Sequence, residues 1–347
     1  MRVTGEVLIL RKRKTNMVCV FCGKSPVDKT DEHLIPKWLL KLVGVLDVNI
    51  NIGFIDGKEV KGKDFHTPAC YKCNKRYSNL ENHVSSIFKS IIFEKANLDR
   101  ENSTLLLDWF DKIRMGLWFL FWYENHKNTV PTFSINERIG VKDRCLFIFY
   151  TKDIYQGFQV FGLSPIFECF PTAICLRVGQ LCMINISNDF FSSKKLGLPV
   201  GIIETNENDT NIKISGNPVL LDGYVSEIDF FEKKYKGVTL LQSIYSKDLS
   251  KYSGEWKSTF DAIKCETHIV RDKLIKLFPV VSFQNKVFGT NELKAFEILR
   301  YGKIDEKELQ KEILCLQIEL YYKYHDKLSE WNKKVIDAQK GLLKSFN

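Results

Sequence analysis

Apolar positions in the first ninety residues fall into short, interrupted runs. Gly5 to Leu10 suits a short strand, and Pro36 near the start of Lys37 to Val43 suits the first turn of a short helix. Val48 to Phe54 alternates β-branched with other residues. Asp56-Gly57 is a hairpin turn signal, and Lys58 to Phe65 supplies the return strand. Tyr77, Leu80, Val84, Ile87 and Ile91 then recur at helical spacing, which predicts a helix over Lys75 to Glu94. A polar linker, Asn97 to Thr104, follows, and Ser103 or Thr104 is placed to cap a helix running to about Tyr123.

Beyond Thr132 the period changes. Cys145 to Tyr150, Gln159 to Gly162 and Gly201 to Glu204 are short apolar runs split by Asn, Asp and Gly, as expected of several strands up to Phe231, with Asn206 to Thr210 at a loop tip. From about Gly254 the pattern turns helical. Apolar residues at 309, 313, 316, 320, 324 and 328 predict one long C-terminal helix over Asp305 to Ser345. The fold class expected is α+β. A small N-terminal module over residues 1–95 is followed by a larger mixed α+β domain over 104–347, which ends in that helix.

Composition narrows the class. With 347 residues, 44% hydrophobic and 27% charged, the chain reads as soluble and globular, with two domains favoured over one. Its most apolar stretch, Leu105 to Tyr123, is interrupted by Asp108, Asp111, Lys112 and Arg114. That suits a buried amphipathic helix rather than a membrane span. The first residues carry no apolar leader, so a cytoplasmic location is expected. The net charge of +9 is uneven: residues 1–90 hold 16 Lys/Arg against 9 Asp/Glu, and the remainder holds 35 against 33. A basic N-terminal region attracts nucleic acid by neutralising phosphate, although charge alone fits an ordinary surface equally well.

The chemistry concentrates in the same region. Cys19-Val-Phe-Cys22 and Cys70-Tyr-Lys-Cys73 are two Cys-x-x-Cys pairs, and between them lies Glu32-His33-Leu-Ile-Pro36. In a reducing compartment such pairs favour a metal over disulfides, and four thiolates suit a structural zinc. Paired redox dithiols compete, but those usually come singly before a helix. Zinc would staple the ends of a module too small to hold itself together by its core. The other six cysteines, Cys145, Cys169, Cys175, Cys182, Cys265 and Cys315, lie in apolar surroundings and read as buried thiols.

Cys-x-x-Cys, then Glu-His-x-x-Pro, then Cys-x-x-Cys-Asn resembles the HNH (ββα-metal) endonuclease family, in the subset braced by four zinc cysteines. The likeness covers about residues 15–85. It implies metal-dependent hydrolysis of nucleic-acid phosphodiesters, DNA favoured over RNA. His33 would be general base, Glu32 and Asn74 would hold Mg²⁺ or Mn²⁺, and His66 would stand where the family often has an asparagine. Arg11, Lys12, Arg13, Lys14, Lys72, Lys75 and Arg76 are the candidate backbone contacts. The resemblance further implies a role in restriction or anti-phage defence. The C-terminal domain would choose the target or a protein partner, such as an ATPase or a second copy. The alternatives are a non-catalytic zinc module that binds nucleic acid or protein, and an effector subunit silent until a partner switches it on.

Overall fold

A computed structural model of the chain describes residues 18–47, 49–51, 59–61, 66–92, 98–126, 131, 134–153, 155–188, 192, 202–204, 213–215, 226–246, 267–271, 274–283, 286–290, 300–324 and 329–346. The expected strand over residues 5–10, the basic run Arg11 to Lys14, Cys265 and the turn at Asp56-Gly57 lie outside these.

The N-terminal unit runs β1 (Lys29–His33), α1 (Lys37–Leu42), β2 (Asn49–Asn51), β3 (Glu59–Lys61), β4 (His66–Cys70) and α2 (Tyr71–Ile92). The expected hairpin forms in part, as β2 pairs with β3. A second pairing carries no local sequence signal. β4 lies antiparallel to β1, Lys29 opposite Cys70 and His33 opposite His66. The helix expected from Lys75 begins at Tyr71, directly after Cys70, and carries its predicted apolar stripe inward through Tyr77, Val84, Ile87 and Ile91.

Helix α3 (Arg100–Asn125) is capped not by Ser103 or Thr104 but by Asp99, whose carboxylate accepts from the Asn102 N–H at 2.7 Å. Ser103 instead donates to the Leu98 carbonyl, consuming its hydroxyl. The helix is more buried than an amphipathic stripe requires: every residue from Trp109 to Phe121 is covered. Its charges survive because each meets a partner. Arg144 reaches Asp108 at 2.5 Å and Asp111 at 3.0 Å, Arg114 pairs with Asp111 at 2.8 Å, and Lys112 pairs with carboxylates of the N-terminal unit. Gly116 lets this helix approach the turn after β1, since a Cβ there would stand 2.8 Å from the Leu34 side chain. Among the described residues no helix is long and apolar enough to cross a membrane.

The remainder adds β5 (Asp143–Thr151), β6 (Phe158–Phe161), α4 (Pro165–Cys169), β7 (Ala173–Val178), β8 (Leu181–Asn188), β9 (Ile202–Glu204), β10 (Lys213–Ser215) and α5 (Ser226–Tyr235). Then come β11 (Val238–Gln242), β12 (Ile244–Ser246), β13 (Thr267–Arg271), β14 (Leu274–Leu277), β15 (Val280–Phe283), β16 (Lys286–Gly289), β17 (Arg300–Tyr301), α6 (Glu306–Tyr324) and α7 (Glu330–Lys344). The main sheet has the order β16-β15-β11-β5-β8-β7-β6, with β17 parallel to one end of β5. β5 is apolar from Cys145 to Tyr150 because both its faces are covered. Leu146, Ile148 and Tyr150 face the cluster shared with α3, while Cys145, Phe147 and Phe149 face the cluster shared with α5 and α6.

Three expectations need correcting. The stretch expected to be helical from about Gly254 contains the strands β13 to β16, whose Thr-His-Ile-Val and Val-Val-Ser-Phe runs carry β-branched residues. The single long C-terminal helix is two, because Ser329 caps a fresh start by accepting from the Asn332 N–H at 3.2 Å. Of the six cysteines read as buried, Cys145, Cys175 and Cys182 are, but Cys169 and Cys315 are exposed. The boundary expected between 95 and 104 is bridged by one apolar cluster, which runs from Cys19, Val20 and Phe21 through α2 and α3 to the sheet. The architecture is mixed α+β.

Candidate metal centre and polar face

The four paired cysteines converge. Their sulfurs all lie within 4.8 Å of one another, and among the described residues this is the one group of His, Cys, Asp or Glu placed to hold a metal ion. Local structure explains the convergence. A turn over Val20 to Cys22 buries Val20 and Phe21, and Phe21 stacks on Tyr77 of α2 at 4.1 Å between centroids. The Val20 N–H donates to the Pro68 carbonyl at 3.1 Å, and the Cys70 N–H to the Cys19 sulfur at 3.3 Å. β4 ends at Cys70 and α2 begins at Tyr71, so Cys73 sits in the first helical turn, pointing back at the same spot. Burial and the neighbouring Cys19 and Cys22 push the Cys73 thiol up to about 12. Burial also raises Cys19. Cys22 is held below its ordinary value against its own burial, chiefly by the Lys24 backbone.

β1 divides its side chains between two faces. Asp31 and His33 point outward, and His66 of β4 lies beside them. The His33 and His66 rings are 5.6 Å apart, and His66 Nδ1 is 3.6 Å from the Asp31 carboxylate, which is 55% exposed. Asn74, next to Cys73, donates its amide to the Thr30 hydroxyl at 3.0 Å and the Asp31 carbonyl at 3.2 Å, tying α2 to β1. The structure therefore sets His33 beside His66 and Asp31, and fixes Asn74 to β1 through Thr30 and the Asp31 backbone. Lys72, Lys75 and Arg76 are exposed on the first turns of α2.

Glu32 goes the other way. It is buried and meets the Lys112 ammonium at 2.5 Å, and Lys112 also holds Glu81 of α2. Side-chain exposures are 0% for Lys112, 6% for Glu32 and 16% for Glu81. Burial opposes the ammonium charge, but the two carboxylates outweigh it and raise the Lys112 pKa. Burial pushes the Glu81 carboxyl up to about 7, against the pull of Lys112 and with added repulsion from Glu32. Sequence reasoning missed Asp31 and Lys112. Period-two alternation from His33 would have found Asp31. Lys112 lies on α3, far along the chain from the motif, and no spacing pattern links the two.

Glu81 makes a pH prediction. The unfolded carboxyl loses its proton near 4.5 and the folded one near 7, so the folded chain binds more protons between these values. Stability from this group is then greatest in acid and declines as pH rises through that window, at no more than about 1.4 kcal/mol per pH unit. Glu81→Gln is expected to remove that decline. Urea midpoints at about pH 5 and about pH 7 for both proteins check it, and subtracting the two curves cancels the opposite trend of the cysteine site.

No protein-family model, curated protein or solved structure matches the chain.

Proposed function

We propose that the chain is a metal-dependent nuclease of HNH (ββα-metal) type that hydrolyses phosphodiester bonds, DNA favoured over RNA. The observation that carries this reading is the β1–β4–α2 unit: a four-cysteine cluster at one end and His33 and His66 in register on its open face. The ion among the cysteines is zinc. Soft thiolates in a closed tetrad suit it, and Zn–S bonds of about 2.3 Å set sulfurs about 3.8 Å apart in a tetrahedron. The Cys22 and Cys70 sulfurs stand 3.9 Å apart.

On the open face His33 takes a proton from the attacking water, as an imidazole near neutrality does efficiently. Exposed Lys72, Lys75 and Arg76 hold the phosphodiester backbone without reading sequence. Glu32, committed to Lys112, does not fit an open ligand position. Asp31 and Asn74 are the oxygen-bearing side chains that would hold Mg²⁺ or Mn²⁺ here. Such an ion, bound with one or two carboxylates and the substrate phosphate, supplies charge neutralisation at the phosphate and the leaving oxygen.

Plasmid nicking with and without added Mg²⁺ tests the reading. Mg²⁺-dependent nicking is expected, and His33→Ala should cut it by about a hundredfold or more while leaving DNA binding intact. Mg²⁺-independent binding with no cleavage, alone or after co-expression with neighbouring gene products, would favour a non-catalytic zinc module. Cleavage seen only after co-expression would make the chain an effector subunit.

A further inference from the structure

A cavity of about 320 Å³, lined by Arg114 and Met115 of α3, has no role in the nuclease reading. Its walls come from α3, the turn before β5, the link from α4 to β7, and the two C-terminal helices. A cavity of this size suits a small organic ligand.

Its chemistry is one-sided. Arg114, Arg138 and Lys142 line it, and none of the lining residues is acidic. Arg114 is 2% exposed at its side chain. Its Nε donates to the Pro171 carbonyl at 2.9 Å, one terminal nitrogen donates to Asn185, and the other ion-pairs with Asp111 at 2.8 Å. Those contacts take at most three of its five N–H groups. Asp111 already meets the Arg114 charge, so the positive character of the wall comes chiefly from Arg138 and Lys142, and with no carboxylate among the lining residues the cavity favours an anion.

Three lining residues are aromatic: Phe170, the buried Tyr321, and Trp331, which leaves 65% of its surface in water. Lys142 already lies over the Phe170 ring, 5.6 Å from its centroid, and Tyr321 meets Phe170 edge-on. Trp331 remains as a broad, exposed indole face on which a flat ring can stack. The Thr172, Ser187 and Asn332 side chains add polar groups of the kind that fix a ligand's orientation.

We propose that this cleft binds a mononucleotide-class ligand: a phosphate seated among Arg114, Arg138 and Lys142, and a base stacked on Trp331. None of these residues belongs to the nuclease face, so the proposal stands or falls apart from that activity.

Isothermal titration of the full chain tests it, with AMP, GMP, CMP and UMP, with adenosine, and with inorganic phosphate. No divalent ion is added, so that the nuclease face does not retain phosphate. A mononucleotide is expected to bind about tenfold or more tightly than phosphate or adenosine. Trp331→Ala, at an exposed position that leaves the fold intact, should weaken the mononucleotide about tenfold and leave phosphate unchanged. Lys142→Glu should weaken both. Absence of mononucleotide binding overturns the proposal. So does binding indifferent to both substitutions, and so does equal affinity for phosphate and mononucleotide, which would mark an anion site that does not read a base.

Discussion

Stripping the zinc proposed at Cys19, Cys22, Cys70 and Cys73 is expected to unfold the N-terminal ββα unit while the large sheet persists. Structural zinc contributes about 10–16 kcal/mol to the folding of isolated fingers at neutral pH. The effect here is expected to be smaller, several kcal/mol, because Phe21, Leu39, Tyr77 and Phe88 also bury surface against α3. Without a cation the cysteines repel as thiolates or must take up protons, and Cys73 resists ionisation up to about 12. Two anchors fail together. Cys19 and Cys22 hold the Val20–Phe21 turn, and Cys73 fixes the start of α2, which carries Asn74. Elemental analysis is expected to find one zinc per chain, and Cys73→Ser should lower it. Amide exchange in the stripped protein should quicken over residues 18–24 and 66–76 but not over β5, β7 and β8. A chain without metal, or one whose melting and exchange ignore a chelator, would remove zinc from the account. Because binding displaces protons, the ion should also be lost more readily as pH falls.

Much of this unit was written in local patterns. The cysteine pairs, the α2 stripe from Tyr77 to Ile91 and the β2–β3 hairpin are short-range signals, and each lies where those signals put it. The β1–β4 pairing was not legible. Its strands are five residues each, and residues 34–65 separate His33 from His66, the pair that closes the ladder. β4 contains Pro68, which argues locally against a strand. Tertiary context overrode that signal, since Pro68 lacks an N–H but its carbonyl still accepts from Val20. The C-terminal half was read less well for a related reason. The strands β13 to β16 are only four or five residues long, too short for periodicity to tell a strand from a helix. The break before α7 rests on one serine whose capping role depends on geometry rather than spacing.

The charges of α3 illustrate the same limit and lead to the other large effect. Asp111, Lys112 and Arg114 keep Leu105 to Tyr123 from being apolar enough to cross a membrane, yet their value lies in partners that sequence does not reveal. Lys112→Ala is expected to cost about 3–5 kcal/mol, because it leaves two carboxylates facing each other in a largely buried site. The loss should be smaller in acid, where Glu81 holds a proton, and larger above about 7. Adding Glu32→Gln and Glu81→Gln to Lys112→Met should recover most of it, since no charge is then left unpaired. Urea melts of the single and combined variants read this directly, and a cost under about 1 kcal/mol for Lys112→Ala would show the triad to be hydrated and weak. The same variants settle what Glu32 does. As a brace, Glu32→Gln lowers stability, and its cleavage returns to normal once the folded fraction is restored by cooling, with an unchanged Mg²⁺ requirement. Asp31→Asn, on the exposed face, should do the reverse: little change in melting and a raised Mg²⁺ requirement for cleavage. If instead Glu32→Gln raises the Mg²⁺ requirement in fully folded protein, Lys112 releases Glu32 when the ion and phosphate arrive, and the buried pair is the resting state of a ligand rather than a strut.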